Sequence, residues 1–256
     1  GCMNPSETEN QIKRIALIST PWPLFNRPSI QLGSLKSYLR QQIPDLEVEA
    51  HHFYLKLATT IGYPLYREIS EKTWLAESVY AALLYPERLE CIQTLFYKEA
   101  KGRPLSLKVD FSSLTHQAAA AADEFISSID WDSVGLAGFS ICFCQLSSSL
   151  YVIRSIRKKF PKLPIVIGGS MFAGDTIKDL FKVFPEIDFV INGEGERPLC
   201  SLVYHLRGSA DPEKISRIPG LVTARSSRSK IPVTFDQMPD LKDLPVPDYD
   251  DYFHLI

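Results

Sequence analysis

The sequence predicts an α/β fold: a flavodoxin-like (Rossmann-like) parallel five-stranded sheet in the order 2-1-3-4-5, with a helical insertion and a short C-terminal β and linker extension. Three observations predict it. Five short apolar runs are spread along the 256 residues. Segments with apolar residues at helical spacing lie between them. Four of the five runs are near-continuously apolar, as strands buried on both faces by crossover helices are.

The first run, "RIALIS" (Arg14 to Ser19), is followed by "SIQLGSLKSYLRQQ". That segment starts at Ser29 after Pro28 and sets Leu32, Leu35 and Leu39 on one side. "LEVEAHHF" (Leu46 to Phe53) alternates instead, with Leu46, Val48 and Ala50 on one face, the pattern of an edge strand. "VGLAGFS" (Val134 to Ser140) precedes "QLSSSLYVIRSIRKKF", which has Leu146, Leu150, Ile153 and Ile156 at helical spacing. "PIVIGG" (Pro164 to Gly169) precedes "DTIKDLFKVF", with Asp175 as the expected cap and Ile177, Leu180, Phe181 and Phe184 as the buried stripe. "DFVING" (Asp188 to Gly193) precedes "ERPLCSLVYHLRG", which stops at Gly208.

One stretch breaks this rhythm. About eighty residues between "HHFYLKLA" and "VGLAGFS" are too many and too apolar for a loop. They read as an amphipathic helical insertion that covers a sheet face, walls a ligand site or docks another domain. After Gly208, "IPGLVTARSSRSKIPVTF" reads as two strands around a polar turn, and "DLKDLPVPDYDDYFHLI" as an extended linker. The expected organisation is a disordered N-terminus (1–12), an α/β domain (13–208, insertion about 55–115), and a β-hairpin with linker (209–256) leading towards a missing C-terminal domain.

Composition sets outer bounds. The chain is 45% hydrophobic and 23% charged, with net charge −2. No basic field invites nucleic acid or an acidic membrane. No apolar run reaches the roughly 18 residues of a membrane span. Cys2, Cys91, Cys142, Cys144 and Cys200 are odd in number and scattered, which points to a reducing compartment, hence the cytoplasm.

Four strand-to-helix turns should meet at the C-terminal edge of the sheet: "STPWPLFNRPS", "FSICFCQLSSS", "GGSMFAGD" and "NGEGERP". Gly168 and Gly169 there allow a ligand to lie flat on the backbone, or simply allow a tight turn. Gly193-Glu194-Gly195-Glu196 places acids at a helix start, which argues against bound phosphate; Glu196 also suits plain helix capping. Ser147 to Ser149 read as facing solvent or the helix backbone. Cys142 and Cys144 share a strand face at i, i+2 and read as buried thiols, since two sulfurs are incomplete for zinc or an iron–sulfur cluster. His51 and His52 point to opposite strand faces and make no metal pair. G-x-G-x-x-G, G-x-x-x-x-G-K-[ST] and G-x-S-x-G are absent, and no acid/base pair or nucleophile stands out. The residues by themselves support a binding domain with a wide site at the sheet edge.

In combination these segments resemble the N-terminal cobalamin-binding domain of cobalamin-dependent radical S-adenosylmethionine enzymes. The resemblance rests on "PSIQLGSLKSYLR", Ser140, "IVIGGSMF", "DFVINGEGERPLCSLVYHL", "IPGLVTAR" and "LPVPDYDDYF", in that order. Within the insertion, "FYLKLATTIGYPLYREI" and "WLAESVYAALLYPE" are similar to the branch that C-methylates ribosomally made peptides. The resemblance implies a corrinoid platform for methyl transfer to a carbon centre, with a C-terminal radical domain and a peptide substrate as partners. It implies a cofactor-binding set of Trp22, Leu24, Ser29, Ser140, Cys142, Gln145, Gly168, Gly169, Ser170, Met171, Gly193, Glu194, Gly195 and Glu196, with no catalytic and no metal-ligating residue. Two departures matter. "TPWPLFNRPSIQLG" lacks the histidine of D-x-H-x-x-G, so cobalamin is expected base-off without a protein histidine, its lower face covered by Trp22, Leu24 or Phe25. No C-x-x-x-C-x-x-C is present, so the [4Fe–4S] cluster and S-adenosylmethionine are expected only in the absent C-terminal domain. The alternatives are a docking module of the same fold that no longer binds a corrinoid, and a flavodoxin-like enzyme using a flavin or nucleotide.

Overall fold

A computed structural model describes residues 12–104, 108–172, 174 and 176–256. The expected disordered N-terminus (residues 1–11 of it) and the Asp175 cap lie outside the described residues.

The apolar runs form the strands β1 (Arg14–Ser19), β2 (Glu47–His52), β3 (Leu136–Ser140), β4 (Ile165–Gly168) and β5 (Phe189–Ile191). All are parallel. A sixth strand, β6 (Leu221–Thr223), adds antiparallel to β5, giving the order β2-β1-β3-β4-β5-β6. The expected hairpin is therefore corrected. Its first strand joins the main sheet, and its second half forms no strand. Instead the chain at Asp236 bridges Gly193 in parallel, and Asn192 Nδ2 donates to the Thr234 carbonyl at 2.9 Å. Pro232 lacks an N–H for a ladder, which suits an extended strap better than a strand.

Alternation along each strand divides the core into two layers. Ala16, Ile18, Phe139, Ile165, Ile167 and Val190 face one layer. Ile15, Leu17, Leu136, Val166 and Ile191 face the other. The second layer is closed by α1 (Ile30–Gln42), whose Ser29 Oγ accepts the Leu32 N–H at 3.2 Å, and by a helix after β5 described below.

The insertion covers the first layer. It begins directly after β2 and comprises α2 (Phe53–Ile61), α3 (Tyr63–Ser70), α4 (Thr73–Leu84) and α5 (Leu89–Ala100). The helix α6 (Phe111–Ser127) follows and leads into β3. Tyr54, Tyr66, Tyr80, Phe96 and Phe111 are fully buried in the same cluster as Ile18 and Phe139. The helices α7 (Leu146–Lys159), α8 (Thr176–Val183), α9 (Glu196–Arg207) and α10 (Pro212–Ile215) follow β3, β4 and β5.

The C-terminal segment ends in α11 (Asp250–Phe253) and folds back on the domain. Lys36 Nζ meets Asp251 at 2.6 Å, and Arg40 meets Asp248 at 2.7 Å. Asp251 also accepts the Ala50 N–H of edge strand β2 at 2.8 Å, and Tyr252 Oη donates to the Phe25 carbonyl at 2.8 Å. The expected extended linker is thus docked against α1 and β2.

Candidate functional site

A cavity of about 300 Å³ lies at the C-terminal edge of the sheet, under α1 and the start of α9. Its floor is the second-layer face of the strands: Leu17, Gly138, Ser140, Val166, Gly168 and Ile191. Ile30, Gln31, Ser34 and Leu35 of α1 wall one side; Gly193, Glu194, Gly195, Glu196 and Leu199 wall the other. The register explains the floor. Gly138 sits between Leu17 and Val166, and Ser140 sits beside Gly168. Three small residues on two neighbouring strands leave space where larger side chains would fill it.

Each glycine there has its own cause. A Cβ at Gly138 would stand 2.9 Å from a Leu17 methyl. At Gly168 it would meet only Ile191, at 3.4 Å, an ordinary contact. Gly169 differs: φ is +118°, and a Cβ would stand 2.2 Å from the Ile141 carbonyl oxygen. The Gly168-Gly169 pair therefore divides into one residue that leaves the cavity open and one that the chain's own turn requires.

The acidic turn is built by the strap. Gly193 has φ +102° and touches Asp236; Glu194 N–H donates to the Asp236 carbonyl at 2.9 Å. Glu194 Oε2 accepts the Met238 N–H at 2.5 Å. Arg197 grips the Asp236 carboxylate at 2.6 and 3.0 Å. Burial pushes the Glu196 carboxyl above the usual range, helped by Glu194 and Asp236, while the N–H groups of Glu196 and Gly195 pull it down.

Of the expected set, Ser140, Gly168, Gly169, Gly193, Glu194, Gly195 and Glu196 come together in this lining. The others do not line it. Ser29 caps α1. Trp22 is 3% exposed and packs on Tyr66 at 5.0 Å between ring centres, so its indole lies in the core and does not line this cavity. Phe25 stacks on Tyr63 at 4.5 Å. Leu24, Ser170 and Met171 are exposed. Gln145 is buried as a knot: its Oε1 accepts the Cys142 N–H, and its Nε2 donates to Ser19 Oγ and the Thr20 carbonyl. Cys142 and Cys144 lie past the end of β3, in a turn where Cys144 takes φ +66°, so they share no strand face.

The serine trio is also corrected. Ser147, Ser148 and Ser149 are buried. Thr20 Oγ1 bonds Ser148 and Ser149 Oγ at 2.8 and 2.7 Å, and Ser148 Oγ donates to the Pro21 carbonyl. These bonds pin the loop between β1 and α1. Sequence reasoning missed the α1 wall and Gly138. A glycine inside a strand pattern marks a close approach, so "VGLAGFS" carried the signal for Gly138. It also missed Phe143, 70% exposed on the loop that Gln145 fixes. Ile30, Leu24, Phe143 and Met171 are exposed apolar side chains on α1 and the loops after β1, β3 and β4, so they rim this same edge.

Neither a family model nor a curated protein matches the chain by sequence. Its fold is similar to that of the cobalamin-dependent S-adenosylmethionine radical enzyme OxsB with aqua-cobalamin bound, at TM-score 0.56 and 13% identity, over 95% of this chain and 25% of that one. The form with aqua-cobalamin and S-adenosylmethionine gives TM-score 0.56 at 12% identity over the same shares. The radical S-adenosylmethionine methyltransferase TsrM from Kitasatospora setae, with its tryptophan substrate and an S-adenosylmethionine analogue bound, aligns at TM-score 0.44 and 14% identity, over 82% of this chain and 28% of that one. The chain thus has the α/β fold of a segment of OxsB and spans about a quarter of the length of the structures it matches.

Proposed function

We propose that this chain is the corrinoid-binding domain of a radical S-adenosylmethionine methyltransferase that methylates a carbon centre, on a peptide substrate. The observation that carries the reading is the cavity: an apolar slot under α1, floored by Gly138, Ser140 and Gly168, at the strand ends where ligands of such sheets sit. The fold shared with OxsB supports it.

The residues present fit the group. Gly168 leaves the slot open, and Ser140 offers a hydroxyl on its floor. The exposed rim of Leu24, Phe143 and Met171 offers a flat macrocycle an apolar bed in place of Trp22. None of the five histidines lines the cavity, which supports base-off binding without a histidine on cobalt. When bound, the corrinoid supplies a transferable methyl group. The chain's own part is to hold and orient it: Gln145 and the buried hydroxyls fix the two loops, and the strap fixes the acidic turn. The iron–sulfur cluster and S-adenosylmethionine belong, on this reading, to a radical domain outside this sequence. The corrinoid-free alternative expects Trp22, Met171 or Phe172 to fill the slot, and none of them lines it.

The test is an anaerobic absorbance titration with methylcobalamin and hydroxocobalamin. Saturable binding with a base-off spectrum, lost in Gly168→Val while the variant stays folded, is the expected result. A base-on spectrum rejects the lower-face reading alone. No binding, by this chain or by a form carrying the radical domain, rejects the corrinoid platform.

A further inference from the structure

Resting on the corrinoid reading, we infer that Glu196 is a specificity residue: it makes the α9 end of the cavity a receptor for the neutral primary amides on a corrinoid's rim, and closed to a carboxylate or phosphate. Two carboxylates, Glu194 and Glu196, line that end. Among the described residues neither has a cationic partner; the adjacent cation, Arg197, is turned onto Asp236. Glu194 has an oxygen held by the Met238 N–H, which fixes it in place.

The cavity lining brings no cation to this end: Gln31 and Ser34 of α1 are neutral, and so is the nearby Tyr38 phenol. Leu35, Ile191 and Leu199 are apolar. Glu196 is the first residue of α9, so its carboxylate stands at the helix end where an anion would otherwise be favoured. An incoming anion would meet two like charges that form no salt bridge among the described residues, at a helix start that already carries an acid. An N–H donor without charge meets acceptors instead. Primary amides are such donors, and a corrinoid carries them around its macrocycle. The same argument orients the ligand: its nucleotide phosphate must lie away from α9, towards other parts of the cavity.

The experiment compares binding of hydroxocobalamin with its monocarboxylic derivatives, in which a single rim amide has been hydrolysed. Absorbance titrations use the full chain and Glu196→Gln, with thermal melts confirming that the variant is folded. The expected result is that one positional monoacid binds wild type about tenfold more weakly than the parent, the scale of a misplaced charge, and that the gap closes in Glu196→Gln. Equal binding of all monoacids to wild type overturns the inference but leaves the corrinoid platform standing. A gap that persists unchanged in folded Glu196→Gln overturns the role of this residue. Failure of wild type to bind any corrinoid overturns the platform and this inference together.

Discussion

At Gly169 the backbone itself forbids a side chain. The β-carbon would lie 2.2 Å from the Ile141 carbonyl oxygen, at φ +118°. Gly169→Ala should therefore cost roughly 2 kcal/mol or more by combined strain and overlap, while Gly168→Ala stays within about 1 kcal/mol; urea unfolding of the two variants checks the difference. A loss of ligand in a Gly169 variant would thus report on folding, and Gly168 is the position that reports on the cavity. The histidine at position 52 gives a second prediction. Its ring is 4% exposed, wedged edge-on against Tyr54 and Tyr252, with neither ring nitrogen hydrogen-bonded. Burial lowers its pKa from 6.5 to about 4. The unfolded chain then binds the proton more readily than the folded one. Stability present above pH 6.5 is lost as pH falls towards 4, by about 3 kcal/mol in this group's share. His52→Phe should flatten that acid limb in unfolding measured from pH 7.5 to pH 4. The alternation in "LEVEAHHF" placed His52 on the face of Val48 and Ala50; its isolation needed Tyr252, some two hundred positions on, which no local pattern shows.

Among the elements, α4 of the insertion is tied to the start of α7 through one residue, Glu77. Glu77 of α4 accepts the Leu146 and Ser147 N–H groups at 3.1 and 2.8 Å, and its carbonyl accepts Ser147 Oγ. It is the acceptor for the first turn of α7 that a capping side chain supplies elsewhere. Glu77→Ala should cost about 1–2 kcal/mol, and hydrogen exchange should show the first turn of α7 and the loop before it losing protection. Here lies the limit of what was readable. The strand runs, the start of α1 at Ser29, and the Gly208 stop of α9 follow from local patterning, and the structure has them in place. The buried serines did not follow, because three polar residues on a helix read as solvated until Thr20 and Glu77 arrive from distant segments. The short β6 was read as half of a hairpin, because a run of three residues carries too little pattern to choose between two partners. The cavity's glycines and acids were legible as turn chemistry; the α1 wall was not, since Ile30, Gln31 and Ser34 look like any helix surface.

For the molecule as a whole, the insertion is part of the core. Phe53, Tyr66, Leu75, Val79, Phe96 and Phe111 are fully buried in one cluster with the sheet residues Ala16, Ile18 and Ile165. Replacing residues 55–104 by a short linker should strip that whole sheet face and abolish cooperative unfolding, seen as loss of a calorimetric transition. A lid merely resting on a finished domain would leave the transition in place.

The two outer strands show how the sheet ends. On β2 the outward Ala50 N–H is taken by Asp251; on β6 the Thr223 N–H is taken by Ser226 Oγ at 2.8 Å. Each border carries a side-chain acceptor where a foreign strand would need a free donor. The chain is thereby fenced against ribbon-like self-association from both sides, and Asp251→Ala removes one fence: light scattering on gentle heating should show that variant clouding before the parent does.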